Sequence, residues 1–194
     1  MKKVLLLLAE GFEIYEANAF IDVIGWNLTE GDGSTQLFTC GLKKEVKSTF
    51  NQRIIVDYTI DEINPDDFYA LAIPGGFQEY NFYADAYNEK FLDLIRDFNS
   101  RNKIIASICT GAFPIAKSGA LVGRRGTTYN KNPIRQETLK GLGVEVLNQS
   151  IVVDRNVITS WNPSTAMDVA FKLLENLTSN EQVKAIKSIM GFEN

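Results

Sequence analysis

Apolar runs of strand length alternate along the chain with stretches in which apolar residues return every three or four positions. The runs are VLLLLA at 4–9, QLFTCG at 36–41, YALAIP at 69–74 and KIIASI at 103–108. Few polar residues interrupt them, as in strands whose two faces are both covered by helices. Helical spacing is clear in Ala17, Phe20, Ile21 and Ile24, in a helix starting near Glu13 and closed by NLTEGDGS. It returns in Phe91, Leu94, Ile95 and Phe98 of NEKFLDLIRDFNSRN. Strand and helix in turn predict βαβ units around a mainly parallel sheet.

The segment VKSTFNQRIIVD at 46–57 breaks the alternation and reads as an antiparallel hairpin turning around Asn51 and Gln52. NPIRQETLKGLG and NPSTAMDVAFKLLENL each open with Asn-Pro, the asparagine as cap and the proline in the first turn, so each predicts a helix start. VEVL, IVVD and NVITS fit short strands, and NEQVKAIKSIM fits a terminal helix. No internal repeat or linker is visible, and 194 residues suit one core, so residues 1–194 are expected to form a single domain.

Composition narrows the function classes. Hydrophobic residues at 45% and charged residues at 23% describe a folded globule rather than a disordered chain. The net charge is -4 and the tight basic clusters are no more than pairs such as Lys43-Lys44 and Arg124-Arg125, which gives nucleic-acid binding little support. The opening MKKVLLLLAEGFE imitates a signal peptide, but Glu10 and Glu13 follow its short apolar run at once, as suits a buried first strand. No run is long enough to cross a bilayer, so the expectation is a cytoplasmic protein without a membrane partner. Cys40 and Cys109 lie far apart and are expected to be free thiols. Two thiols and no histidine leave no zinc ligand set, and neither a metal nor another cofactor is expected.

The candidate chemistry centres on KIIASICTGAFPIAKSG, an apolar strand running into a sharp turn at Cys109 and then a helix. Such a turn lifts a side chain above the carboxyl ends of a sheet, where α/β ligand sites lie. Gly111 and Ala112 permit close approach, Pro114 is tolerated in a first turn, and the helix end would favour a thiolate. The plainer alternative is a small buried hydrophobe, which is the better reading for Cys40 within its strand. Gly75-Gly76 of AIPGGFQEY could turn backbone N–H groups into a pocket as an oxyanion hole, or could simply make a tight turn. In AEGFEIYEANAF, Glu13 and Glu16 both sit near a helix start, and periodicity does not choose between them.

These segments together resemble the ThiJ/PfpI family, of the class I glutamine amidotransferase-like superfamily that includes the Parkinson's-disease-associated deglycase. The resemblance covers nearly the whole chain: LLLLAEGFEIYEA, AIPGG, ASICTGAFPIAKSGAL, GRRGTTY and NVITSWNPSTAMDVAFKLLE occur in family order. It implies a flavodoxin-like three-layer α/β/α sandwich with a mainly parallel central sheet, commonly as a homodimer. It implies a nucleophile at Cys109 with a strained backbone, a partner carboxyl, often protonated, at Glu16, and oxyanion donors in the backbone N–H groups of Gly76 and Thr110. Gly75 and Tyr129 would border the pocket. Where many relatives carry a histidine after the two threonines, this chain has Tyr129. A phenol with an ordinary pKa near ~10 is a poor base at neutral pH, which disfavours the Cys-His protease and amidotransferase mechanisms.

What survives is a dyad of Cys109 and Glu16. One reading is enzymatic: Cys109 adds to a small electrophilic substrate, a reactive carbonyl or an isocyanide, while Glu16 moves protons. A second is oxidative-stress sensing or protection, with peroxide converting Cys109 to sulfenic and then sulfinic acid. A third, ranked last, is a regulatory or amidotransferase-like binding domain. The expected partner is therefore a small-molecule substrate or an oxidant.

Overall fold

The computed structural model describes residues 1–192. Strand β1 (Lys2–Leu8) passes through helix α1 (Ile14–Thr29) to β2 (Thr35–Gly41), and the two strands pair in parallel from Lys2 opposite Thr35 to Leu8 opposite Gly41. Next come β3 (Glu45–Lys47) and β4 (Arg53–Ile55), the expected antiparallel hairpin with Val46 opposite Ile54. Its turn starts earlier than the sequence suggested, because Phe50 and Asn51 both adopt left-handed backbone, with φ of 64° and 73°. Edge strand β5 (Tyr58–Thr59) precedes β6 (Ala70–Ile73), α2 (Phe82–Ala86), α3 (Glu89–Ser100), β7 (Ile104–Ser107) and α4 (Ala112–Lys117).

The later part of the chain holds β8 (Arg125–Gly126), α5 (Pro133–Gly141) and β9 (Glu145–Val146), then β10 (Ile151–Asp154), β11 (Val157–Ser160), α6 (Ala166–Leu177) and α7 (Asn180–Ile189). Seven strands form the main sheet in the order β10-β11-β7-β6-β1-β2-β5. Every pairing in it is parallel except β10 with β11. The result is the expected flavodoxin-like sandwich.

Strand β1 shows why its apolar run has no polar alternate. Val4, Leu6 and Leu8 enter one core with residues of α1, α6 and α7, while Leu5, Leu7 and Ala9 enter the other with residues of α2, α3, α4 and α5. Both sets are buried, and each leucine contributes about 1.5–3 kcal/mol by leaving water. Helix α3 buries Phe91, Leu94, Ile95 and Phe98 as its spacing predicts. In α1 the stripe is rotated from the expected one. Ile21 is 37% exposed, and Val23 takes its place beside Ala17, Phe20 and Ile24.

Of the two Asn-Pro starts, Asn132 caps α5 as expected, its side chain accepting from the Ile134 N–H at 3.0 Å. Asn162 does not cap. A short 3-10 turn, Pro163–Thr165, separates it from α6, and its carboxamide donates to Asn130 Oδ1 at 2.9 Å. Among the described residues no helix is long and apolar enough to cross a membrane.

Candidate functional site

Loops leaving the carboxyl ends of β1, β6 and β7 meet above the sheet. The first two are laced together: the Glu13 N–H donates to the Gly75 carbonyl at 2.7 Å and the Phe77 N–H to the Gly11 carbonyl at 3.1 Å. This lacing brings the start of α1 against Gly75-Gly76. Glu13 is the N-cap of α1, its Oε2 accepting from the Glu16 N–H at 3.1 Å. The division of labour that periodicity left open is thus structural: Glu13 caps, and Glu16, one turn in, is buried.

Glu16 Oε2 accepts the Gly75 N–H at 2.6 Å, while Oε1 is buried without a hydrogen-bond partner among the described residues. Burial drives its pKa up to about 8; the Gly75 N–H pulls against this, and the charge of Glu13 adds to the rise. At neutral pH the carboxyl therefore keeps its proton. The Cys109 thiol is its neighbour, and each group bears on the other's ionisation.

Cys109 opens a 3-10 turn, Cys109–Gly111, with φ of 55°, the strained left-handed backbone that the resemblance implied. The Thr128 hydroxyl holds it by donating to the Cys109 carbonyl at 2.7 Å. Gly111 is required next door, since a Cβ there would lie 2.5 Å from the Ile73 carbonyl oxygen. The expectation of a thiolate favoured by the following helix is corrected. Helix α4 has only six residues and begins at Ala112, and burial, followed by the Glu16 charge, pushes the Cys109 thiol up. The backbone N–H and side chain of Thr110 act in the opposite direction. Protonation of Glu16 removes the second obstacle, so the carboxyl rather than a helix dipole governs the thiolate.

The oxyanion expectation is corrected at Gly76. Its N–H is engaged by Thr110 Oγ1 at 2.8 Å, and that hydroxyl donates back to the Gly76 carbonyl at 2.9 Å. Of the two anticipated donors, only the Thr110 N–H is directed at the sulfur. The glycine pair serves close packing. A Cβ on Gly75 would lie 2.7 Å from Thr110 Oγ1 and 2.9 Å from Glu16 Oε2, and one on Gly76 would lie 2.2 Å from the Phe82 ring and 2.5 Å from the Gly11 carbonyl oxygen. Gly76→Ala should accordingly lower stability by about 1–3 kcal/mol, as overpacking of a well-filled core does, measured by urea denaturation.

A cavity of about 300 Å³ opens beside these groups, bordered by Glu16, Gly76, Cys109, Thr110 and Tyr129. Gly75 stays behind this wall, supporting Glu16. The cavity also meets Phe77, Glu79, Asn132, Arg135 and Pro163, which sequence reasoning did not single out. The helix start at Asn132-Pro133 was legible, but not that it faces the same end of the sheet as Cys109. Cys40 is buried in β2 with its thiol pushed up to about 12, mainly by burial, as suits a packing residue. Among the described residues, no group of three or more cysteine, aspartate or glutamate side chains is arranged to hold a metal ion.

Comparisons with known proteins point to one family. The model of the DJ-1/PfpI family matches residues 2–176. Deglycase PfpI of Pyrococcus furiosus is 31% identical over 83% of this chain and 90% of its own length. Protein dj-1beta of Drosophila melanogaster is 30% identical over 95% of this chain and 94% of its own. The crystal structure of Drosophila melanogaster DJ-1beta superposes with a TM-score of 0.84 at 26% identity, covering 97% of both chains.

Proposed function

The chain belongs to the DJ-1/PfpI family, and we propose that it acts on small reactive carbonyl compounds through Cys109, with Glu16 as the proton carrier. The observation that carries this reading is a buried carboxyl with a pKa near 8 beside a strained cysteine at a cavity wall. Relatives named deglycases support a carbonyl-derived substrate.

At neutral pH both members of the dyad are protonated, and Cys109 sulfur attacks the carbonyl carbon as Glu16 gives its proton to the carbonyl oxygen and takes the thiol proton in its place. The C–S bond forms, the π pair of the carbonyl moves to oxygen and is protonated there, giving a hemithioacetal with Glu16 again in its acid form. The Thr110 N–H stabilises negative charge at the sulfur before attack. Tyr129, in the same wall, can donate a hydrogen bond to the substrate oxygen. An isocyanide carbon is an alternative electrophile for the same pair.

Oxidation is the competing reading, favoured by the protonated Glu16, which can donate to an oxygen on sulfur. Cys40, buried in β2, is not placed to resolve it. Turnover of methylglyoxal and of an isocyanide, measured beside mass spectrometry after graded peroxide, separates the two. Turnover that depends on Cys109 is the expected result; stable sulfinate without any such turnover would overturn the enzymatic reading.

A further inference from the structure

Among the described residues, one cation borders the cavity beside Cys109. Arg135, on the first turn of α5, extends Nη1 to the Tyr83 hydroxyl at 2.8 Å. Its guanidinium carbon lies 5.7 Å from the centre of the Tyr83 ring and 5.9 Å from that of Phe113. The two rings give the guanidinium a fixed shelf. The same Tyr83 phenol interacts with Thr110 and lies within the electrostatic reach of Cys109. One aromatic side chain thus connects Arg135 with the nucleophile's surroundings.

A purely structural arginine would be expected to spend its donors on the protein. The Arg135 side chain makes one hydrogen bond and no ion pair among the described residues, although a guanidinium carries five N–H donors. None of the carboxyl groups of the same cavity pairs with it among the described residues. Glu16 holds its proton, Glu13 turns Oε2 to the Glu16 N–H as the cap of α1, and Glu79 is exposed to water. The N-terminal end of α5, whose cap Asn132 also borders the cavity, adds positive potential on the same side.

We propose that Arg135 recognises an anionic group of the substrate, and that the substrate is a small carbonyl compound carrying a carboxylate. The inference rests on the reading of Cys109 as the nucleophile. The carboxylate is held by the free donors of the guanidinium while sulfur adds to the carbonyl carbon. The thiol proton reaches the carbonyl oxygen through Glu16, and no other atom is gained or lost.

Iodoacetate and iodoacetamide test this, since they differ by a carboxylate against an amide and both alkylate sulfur with loss of iodide. Alkylation of Cys109 is followed at neutral pH by peptide mass spectrometry. Arg135→Gln should lower the iodoacetate-to-iodoacetamide rate ratio about tenfold, as loss of a charge-assisted contact does, and Arg135→Lys should restore part of it. An unchanged ratio in Arg135→Gln overturns the proposal. Labelling of Cys109 by neither reagent in the wild type overturns the nucleophile reading and this proposal with it. Should Arg135→Gln fail to fold, the wild-type ratio reads the same charge: it should fall as ionic strength rises, and a salt-independent ratio overturns the proposal. Glyoxylate should also protect Cys109 at lower concentration than acetaldehyde, an advantage reduced in Arg135→Lys. Equal protection by the two aldehydes overturns the carboxylate preference.

Discussion

Cys109→Ser lowers the rate of carbonyl addition by about a thousandfold or more, because an alcohol supplies far less anion than a thiol and lacks the nucleophilicity of sulfur. The substitution is nearly isosteric, so the turn and its left-handed backbone can persist. Glu16→Gln separates the two roles in the dyad. The carboxamide oxygen can still accept the Gly75 N–H that Glu16 Oε2 accepts at 2.6 Å, and the side chain remains neutral as the protonated carboxyl is. It cannot accept the thiol proton. The rate should fall by about 10²- to 10⁴-fold, the usual contribution of a positioned acid or base, and its dependence on pH near 8 should disappear. Stopped-flow measurement of adduct formation across pH 6 to about 9 checks both, in the range where an acid with a raised pKa titrates. A Glu16→Gln protein that keeps the wild-type rate and pH profile would remove Glu16 from proton transfer.

Much of this arrangement was legible in the sequence because it rests on local patterns. The VLLLLA run could be apolar throughout only with helices on both sides, and β1 divides its residues between two cores accordingly. Asn132-Pro133 announced α5 because a cap and a fixed φ act within a few residues. The site was legible through Cys109 and the glycine pair, while choosing Glu16 over Glu13 needed the family resemblance. Apolar spacing cannot distinguish a capping carboxylate from a buried one a turn later.

The errors have a common physical origin. Ile21 fits the spacing of α1, but the packing of α1 against its neighbours sets the helix rotation and leaves Ile21 at the margin. Gly76 was expected to offer its N–H to a substrate, and the hydroxyl of Thr110, from a different loop, takes it instead. The thiolate was inferred from a helix end, whereas burial and the neighbouring carboxyl dominate the sulfur. Arg135 escaped notice because no local pattern records which loops converge on one end of a sheet. Each miss depends on contacts between segments distant in sequence.

Folding stability should fall as pH rises from about 4.5 to about 8, and Glu16 is the reason. Below the lower value both the folded and unfolded chains hold the Glu16 proton, and burial of the neutral carboxyl carries no ionic penalty. Between the two values the unfolded chain releases the proton while the folded chain retains it, so each step up in pH favours unfolding. Above about 8 the loss levels off, having reached on the order of 5 kcal/mol if the whole shift is expressed. Other groups act outside this window. Asp32, Glu62, Asp154 and Glu181 have lowered pKa values, so their stabilisation is lost only as pH falls through the acid range. Cys109 is raised above 9.0, so its contribution falls away only at higher pH. Urea denaturation of the reduced protein at pH about 5 and about 8.5, on either side of the Glu16 transition, measures the effect. Glu16→Gln should flatten the dependence and be the more stable form at the higher pH, since its buried side chain never ionises. Parallel pH curves for the two proteins would mean that Glu16 is not the buried acid of the site. In the proposed mechanism the same proton that costs stability when removed is the one given to the carbonyl oxygen, which would tie the stability of the fold to the chemistry of the cavity.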